Sequence, residues 1–349
     1  MADLATTTMR PASVSLTVRR LAVPLLLPST FQGKSSEALQ YILPLYCHET
    51  LQLSATATGL VVSVQNLVQI GAAIPVGKLL AQISCHRAFC LGYSILISST
   101  LIGYASSSWP ALSLLMLLAS RVCMGLGQAI SSLCRSTMLS AECPQAVRGR
   151  VSALMTGLNR WVAVPAIFLS GICAESFGNS SAFLLQGALV VAALLCVVVG
   201  RFCARHDGAA AAHKSHRPVP ISAILRQQYR VVVTVGVFCA CLSFLRAAFK
   251  VYLPLQARAH GLSRAATAGV AASTRLVEGF MFPLGGYMSD SLGRASLGVT
   301  TVTLVGLAFA AMPFASNYVW LTVAAVPYAL GNGLAAGLVS TLGGDSAPP

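Results

Sequence analysis

Ten apolar segments, each long enough to cross a lipid bilayer as a helix, follow one another with only short polar separators. Only 9% of the residues are charged and 56% are hydrophobic, whereas a soluble domain carries about 25% charged residues. The sequence therefore predicts an all-α membrane helix bundle. The predicted segments are 21–47, 55–82, 88–107, 110–140, 148–177, 181–203, 229–257, 264–289, 295–314 and 317–342.

The excess of basic residues follows the predicted loops. The formal net charge of +14 would suggest nucleic acid in a soluble protein, but here most cations lie in alternate loops, so no nucleic-acid partner is expected. Placing the N-terminus in the cytosol leaves only Arg258 and Arg264 in outside loops. Residues 1–20 are interpreted as a cytosolic tail or a short organelle-targeting stretch, and the sequence does not distinguish a plasma membrane from an organelle membrane.

Residues 204–228 form the longest polar stretch inside the chain, and they are rich in Ala, His, Arg and Pro. This composition predicts a flexible cytoplasmic linker. It divides the chain into a six-helix block, residues 1–203, and a block of helices 7 to 10, residues 229–349.

Short motifs of the first block recur in the second block in the same order. Leu43-Pro44-Leu45 returns as Leu253-Pro254-Leu255, and Gly127-Gln128-Ala129 returns as Gly331-Asn332-Gly333. The spacing between partners shortens only slightly along the chain, as expected for an ancient duplication. Helices 1 to 4 are therefore predicted to be repeated as helices 7 to 10 in the same orientation, with a substrate site between the blocks.

Two motifs resemble those of the major facilitator superfamily, and in particular its drug:proton-antiporter-like members. Residues 286–294 resemble its cytoplasmic-loop signature G-x-x-x-D-R-x-G-R, and residues 121–129 resemble its helix 4 motif R-x-x-x-G-x-G-x-A. The resemblance implies a gating role for Gly77, Gly286, Asp290, Gly293 and Arg294. The first-half loop has Ala81 at the signature aspartate, and helices 11 and 12 are absent, so a truncated product is an open alternative.

Ionisable residues inside predicted spans are costly and therefore indicate function. They are Lys34, Glu37, Arg121, Arg160, Arg246, Lys250, Arg275 and Glu278. Six cations face two acids, so we expect an anionic substrate to supply the missing negative charge. The predicted substrate-binding residues are Lys34, Glu37, Gln128, Arg246 and Lys250. Snorkelling of the long basic side chains to an interface is the alternative.

Proton coupling is predicted for the two buried acids. Glu37 and Glu278 are the candidate carriers, with Arg275 as a neighbour and Arg121 as the competing partner that the family resemblance implies. A permanent salt bridge, such as Glu278 with Arg275, is the alternative interpretation.

The leading hypothesis is a proton-coupled secondary transporter that moves a small organic solute by alternating access. No nucleophile–base pair, phosphate loop or metal cluster is apparent in the sequence, so neither an enzyme nor a cofactor is predicted. A drug efflux antiporter and a non-transporting membrane protein or partner subunit are the alternatives. The expected partners are a small-molecule substrate, the lipid bilayer and protons.

Overall fold

The computed structural model describes residues 25–142, 145–204, 229–292 and 294–335. Within these ranges nearly every residue is helical and none belongs to a β-strand, which confirms the predicted all-α fold class. The long helices are α1 Leu27–Gln40, α2 Ala55–Gln82, α3 Cys85–Ala105, α4 Ser113–Glu142, α5 Gln145–Phe177, α6 Ser181–Ala204, α7 Tyr229–Ala259, α8 Arg264–Leu292, α9 Arg294–Ala311 and α10 Tyr318–Leu334. Most of the predicted linker, residues 205–228, lies outside the described residues.

Seven of these helices, α2 to α7 and α9, are long and apolar enough to cross a membrane on their own. Large apolar side chains project outward from them, including Leu67 and Ile70 of α2 and Val299 of α9, each more than 60% exposed. In water such exposure would be costly, but lipid accepts it without penalty. The chain is therefore an integral, multi-pass membrane protein.

Helix α1 is polar, and it is buried among other helices rather than exposed to lipid. It packs against α5 and α6, and Ser29, Ser35 and Lys34 on it are all buried. The hydroxyl of Ser29 donates to the carbonyl of Leu25 at 2.6 Å, and that of Ser35 to Gln32 at 2.7 Å. These bonds satisfy the hydroxyl groups within the helix, so that the charged residues of α1 remain available to the interior.

Local signals in the sequence define several helix ends. Ser54 accepts a hydrogen bond from the Ala57 amide and begins α2, and Asn317 accepts one from Trp320 and begins α10. Gly261 adopts a φ of +73° after α7, the left-handed conformation that favours glycine at the end of a helix. The resulting tight turn brings the end of α7 close to the start of α8.

The packing of the first four helices recurs in the last four. Helix α4 packs against α2 and α3, and α10 packs in the same way against α8 and α9. At Gly127 a Cβ atom would lie 2.6 Å from Leu96 of α3, and at Gly331 it would lie 3.0 Å from the Thr301 carbonyl of α9. Glycine thus permits the same close helix approach at both positions that the sequence repeat pairs.

Helices from the two parts of the chain meet most closely where α5 crosses α8. A Cβ atom on Gly171 of α5 would overlap the Cβ of Ala268 on α8. The two backbones therefore touch at this crossing. Residues Arg160 and Glu278 lie farther along the same two helices, so this contact also sets the position of these two charged residues relative to each other.

Candidate functional site

The described residues enclose a cavity of about 340 Å³, which is within the size range of small-molecule sites. Its walls come from α1, α5, α7, α8 and α10. They are lined by Gly33, Lys34, Glu37, Asn159, Arg160, Ala163, Arg246, Lys250, Arg275, Tyr328 and Asn332. Four of the five predicted substrate-binding residues (all but Gln128) thus meet in one place, although they are far apart in the sequence.

Glu278 is the most firmly held acid beside the cavity. Its carboxylate accepts hydrogen bonds from Arg160, from Arg275 Nη1 at 2.7 Å and from Asn332 Nδ2 at 2.7 Å. The side chain is 1% exposed. The two arginines neutralise the carboxylate, and all three donors shield it from water. Because these donors belong to α5, α8 and α10, three helices fix the position of Glu278.

Glu37 is held much more loosely. Its carboxylate accepts one hydrogen bond, from Arg275 Nη2 at 2.8 Å, and its side chain is 21% exposed. Arg275 therefore bridges both acids, since its other terminal nitrogen donates to Glu278. The bridge joins α1 of the first helices to α8 of the last ones.

Three cations of the cavity have no acidic partner among the residues that the structure describes. Lys34, Arg246 and Lys250 form no ion pair with any carboxylate in the described part of the chain. Two nitrogens of Arg246, Nε and Nη2, are buried without an acceptor among the described residues. Buried guanidinium N–H groups left unpaired are unfavourable, so the cavity is arranged to receive acceptor atoms.

Three uncharged residues of the cavity were not among the predicted site residues: Asn159, Tyr328 and Asn332. The Asn159 and Asn332 side-chain oxygens and the Tyr328 hydroxyl are buried without a partner among the described residues. Asn332 is the repeat mate of Gln128, so the sequence repeat was the signal that would have found it. These groups give the cavity polar contacts in addition to charge.

Gln128 and Arg121 lie away from the cavity lining. Gln128 accepts from Gln65 Nε2 at 2.8 Å and donates to Ser36 Oγ at 2.5 Å. Arg121 donates to Gln65 Oε1 at 3.4 Å and to Ser120 Oγ at 3.3 Å. The structure does not bring Arg121 together with Glu37, and instead places it at the end of a polar chain that leads to Ser36.

A second ionic cluster lies at the end of the bundle that the arginine pattern places outside. It consists of Glu49, Asn179, Arg258 and Arg264, and we call it the Glu49 cluster. Glu49 accepts from Arg258 Nε at 2.6 Å, from Arg264 Nη2 at 2.7 Å and from Asn179 Nδ2 at 3.0 Å. The cluster ties the segment after α1 and the α5–α6 turn to α7 and α8. Its two arginines are the ones that the loop pattern places outside.

Burial raises the pKa of Glu49, but the hydrogen bonds from Asn179, Arg264 and Arg258 outweigh burial and leave its pKa below the ordinary value of 4.5. The carboxylate is therefore charged at neutral pH, and the charged form stabilises the contact.

Of the five residues with a predicted gating role, the four that the structure describes lie near helix ends. Gly77 is exposed near the end of α2, where a Cβ atom would meet nothing within 4 Å. Gly286 and Asp290 belong to the last turns of α8, and Arg294 begins α9. Gly293 lies outside the described residues.

Comparison with known proteins identifies the architecture. A family model described as Major Facilitator Superfamily matches residues 29–349. No curated protein sequence matches the chain.

Several solved structures share the fold. A D-xylose–proton symporter superposes with a TM-score of 0.69 at 12% identity, covering 91% of this chain and 80% of that one. A peptide transporter in complex with sulfate gives a TM-score of 0.74 at 14% identity, covering 94% and 83%. A nucleoside transporter gives 0.73 at 11% identity, covering 93% and 81%. These likenesses establish the fold alone.

Proposed function

Because the chain belongs to the Major Facilitator Superfamily, we propose that it is a secondary transporter whose substrate is a small organic anion. The observation that carries the proposal is the group of cations without acidic partners, Lys34, Arg246 and Lys250, in a cavity of about 340 Å³. A bound anion would neutralise charge that the described residues leave uncompensated.

The position of the cavity supports transport rather than storage or simple binding. Lys34 belongs to α1, whereas Arg246 and Lys250 belong to α7, the helix that the repeat makes equivalent to α1. An anion between them contacts both repeats at once. Rocking of the two repeats around such a site is the mode of alternating access that we propose.

Proton coupling forms the second part of the proposal, and Glu37 is its carrier. Glu37 has a single hydrogen-bond donor and faces the cavity, whereas Glu278 is held by three donors. A proton taken up by Glu37 would release Arg275 from one of its two partners without exposing Glu278. Because Glu37 would gain and lose a proton as the anion binds and leaves, the net charge of the cavity would change within each transport cycle.

The test is uptake of labelled organic anions into proteoliposomes with an imposed pH gradient. We expect uptake by the wild type, and a loss of at least tenfold in Arg246→Gln and Lys250→Gln. Lys78→Gln is the matched control, because Lys78 is exposed on α2 and does not line the cavity. Uptake that is unchanged in both cavity variants would overturn the anion site.

The same vesicles separate coupling from binding. Glu37→Gln should abolish the stimulation by a pH gradient and retain exchange of anions at equal pH on both sides. A gradient response that survives in Glu37→Gln removes proton coupling from the proposal. Transport of lipophilic organic cations instead of anions would favour the drug efflux alternative.

A further inference from the structure

The charges that remain after pairing within the cavity show that a substrate with more than one negative charge is favoured. Glu278 is paired with Arg160 and Arg275, and Glu37 is paired with Arg275. Two acids are thereby neutralised by two arginines. Among the described residues Lys34, Arg246 and Lys250 are left over, so the excess is three positive charges.

The three unpaired cations come from two helices of the cavity lining, α1 and α7. Arg246 and Lys250 are four residues apart on α7, about 6 Å along the helix axis, and therefore share one face. Lys34 lies on α1 and is 4% exposed. All three line the same cavity. A ligand in the cavity thus meets a pair of cations from α7 and a single buried ammonium from α1.

A single negative charge is insufficient for this arrangement. If it lies between Arg246 and Lys250, the Lys34 ammonium stays buried without an ion pair to any carboxylate among the described residues. Opposite charges in contact attract one another more strongly in a buried site than in water. A second anionic group on the same molecule gains an interaction of this kind at little further cost in translational freedom, because the molecule is already bound.

Resting on the proposed anion transport, we infer that the substrate is a small dianion whose anionic oxygens face both sets of cations, such as a dicarboxylate or a phosphate monoester. One anionic group lies between Arg246 and Lys250, where it accepts from the unpaired nitrogens of Arg246. The remaining anionic oxygens, on a second carboxylate or on the same phosphate, lie against Lys34. The remaining acceptors of the lining, on Asn159 and Asn332, suit a hydroxyl donor on the same molecule.

The test uses two matched pairs of probes that differ in charge and keep the same skeleton. They are succinate against its monomethyl ester, and methyl phosphate against dimethyl phosphate, at pH 7.5. Binding to the purified protein in nanodiscs is measured by titration calorimetry. We expect the dianion of at least one pair to bind tenfold or more tightly than its monoanion partner, and which pair shows the preference distinguishes carboxylate from phosphate chemistry.

Two outcomes contradict different parts of the reasoning. If monoanions bind as tightly as dianions in both pairs, the inferred valence is wrong while anion binding stands. If none of the four probes binds, and labelled anions are not taken up either, the proposed function fails together with the inference.

The variant Lys34→Gln tests where the second charge lies. Lys34 is buried and forms no ion pair among the described residues, so glutamine in its place removes a desolvated charge and the melting temperature should not fall. We expect this variant to bind the dianion and the monoanion of each pair with similar affinity, so that the preference for the dianion is lost. Lys78→Gln should retain the full preference. A dianion preference that persists in Lys34→Gln would show that the second anionic group lies elsewhere.

Discussion

Replacing Glu278 by glutamine should destabilise the protein more than replacing Glu37 by glutamine. The carboxylate is 1% exposed and balances Arg160 and Arg275, and Arg275 itself is 3% exposed. Removing one partner of a buried ion pair costs about 3 to 5 kcal/mol, because it leaves uncompensated buried charge. Glu37→Gln removes one charged hydrogen bond and leaves Arg275 paired with Glu278, so about 2 kcal/mol is expected there.

The assay is reversible unfolding of the purified protein in bicelles, with free energies compared between variants. The diagnostic result is rescue: Arg160→Gln added to Glu278→Gln should recover part of the lost stability, since it removes one of the stranded cations. Equal stability of Glu278→Gln and wild type would refute the idea that this carboxylate neutralises the two arginines. Strict additivity of the two changes would show that Arg160 and Glu278 do not interact.

Further predictions concern the helix crossing, the Glu49 cluster and the cavity wall. Gly171→Ala should lower the free energy of unfolding by about 1 to 3 kcal/mol, because the added methyl group forces α5 and α8 apart. Unfolding measurements should show that Ala268→Gly restores part of this stability. The control Gly306→Ala should have little effect, because a Cβ atom there meets open space. Folding lowers the pKa of Glu49, so the stability difference between wild type and Glu49→Gln should be largest above the ordinary pKa of 4.5. This difference should vanish as the pH falls through the lower pKa of the folded state. A pH series of thermal melts checks this, and a stability difference that grows with acid would contradict it. Tyr328→Phe should leave the melting temperature unchanged, because the hydroxyl has no partner among the described residues and the ring stacks on Phe249, while flux assays should reveal any change in substrate affinity.

The helices and the charged cavity could be predicted from the sequence because the bilayer imposes simple rules. Apolar runs of spanning length have few alternatives to helices. Charges inside such runs avoid lipid, so Lys34, Arg246 and Lys250 were expected to face a common interior. The repeat added which helices stand opposite one another, since Leu43-Pro44-Leu45 and Leu253-Pro254-Leu255 mark equivalent positions.

The partners of individual side chains could not be predicted in the same way. Arg160 pairs with Glu278 across α5 and α8, and this pairing depends on helix rotations that periodicity does not specify. Arg121 was expected to compete for Glu37, but it bonds to Gln65 and Ser120 instead.

The Glu49 cluster was missed for a related reason. Glu49 lies in a π-helical turn, Tyr46–Thr50, after the first helix. Its arginine partners come from the far end of α7 and the start of α8, and only the folded chain brings these segments together.

The most direct test of the central claim is to locate a bound dianion in the cavity. Tungstate carries two negative charges and scatters electrons strongly, so cryo-electron microscopy of the protein in nanodiscs with and without tungstate should show it. The account predicts a difference peak within hydrogen-bonding distance of Arg246 and Lys34, and loss of that peak in Arg246→Gln. Peaks confined to the exterior of the bundle, with none between α1 and α7, would contradict it.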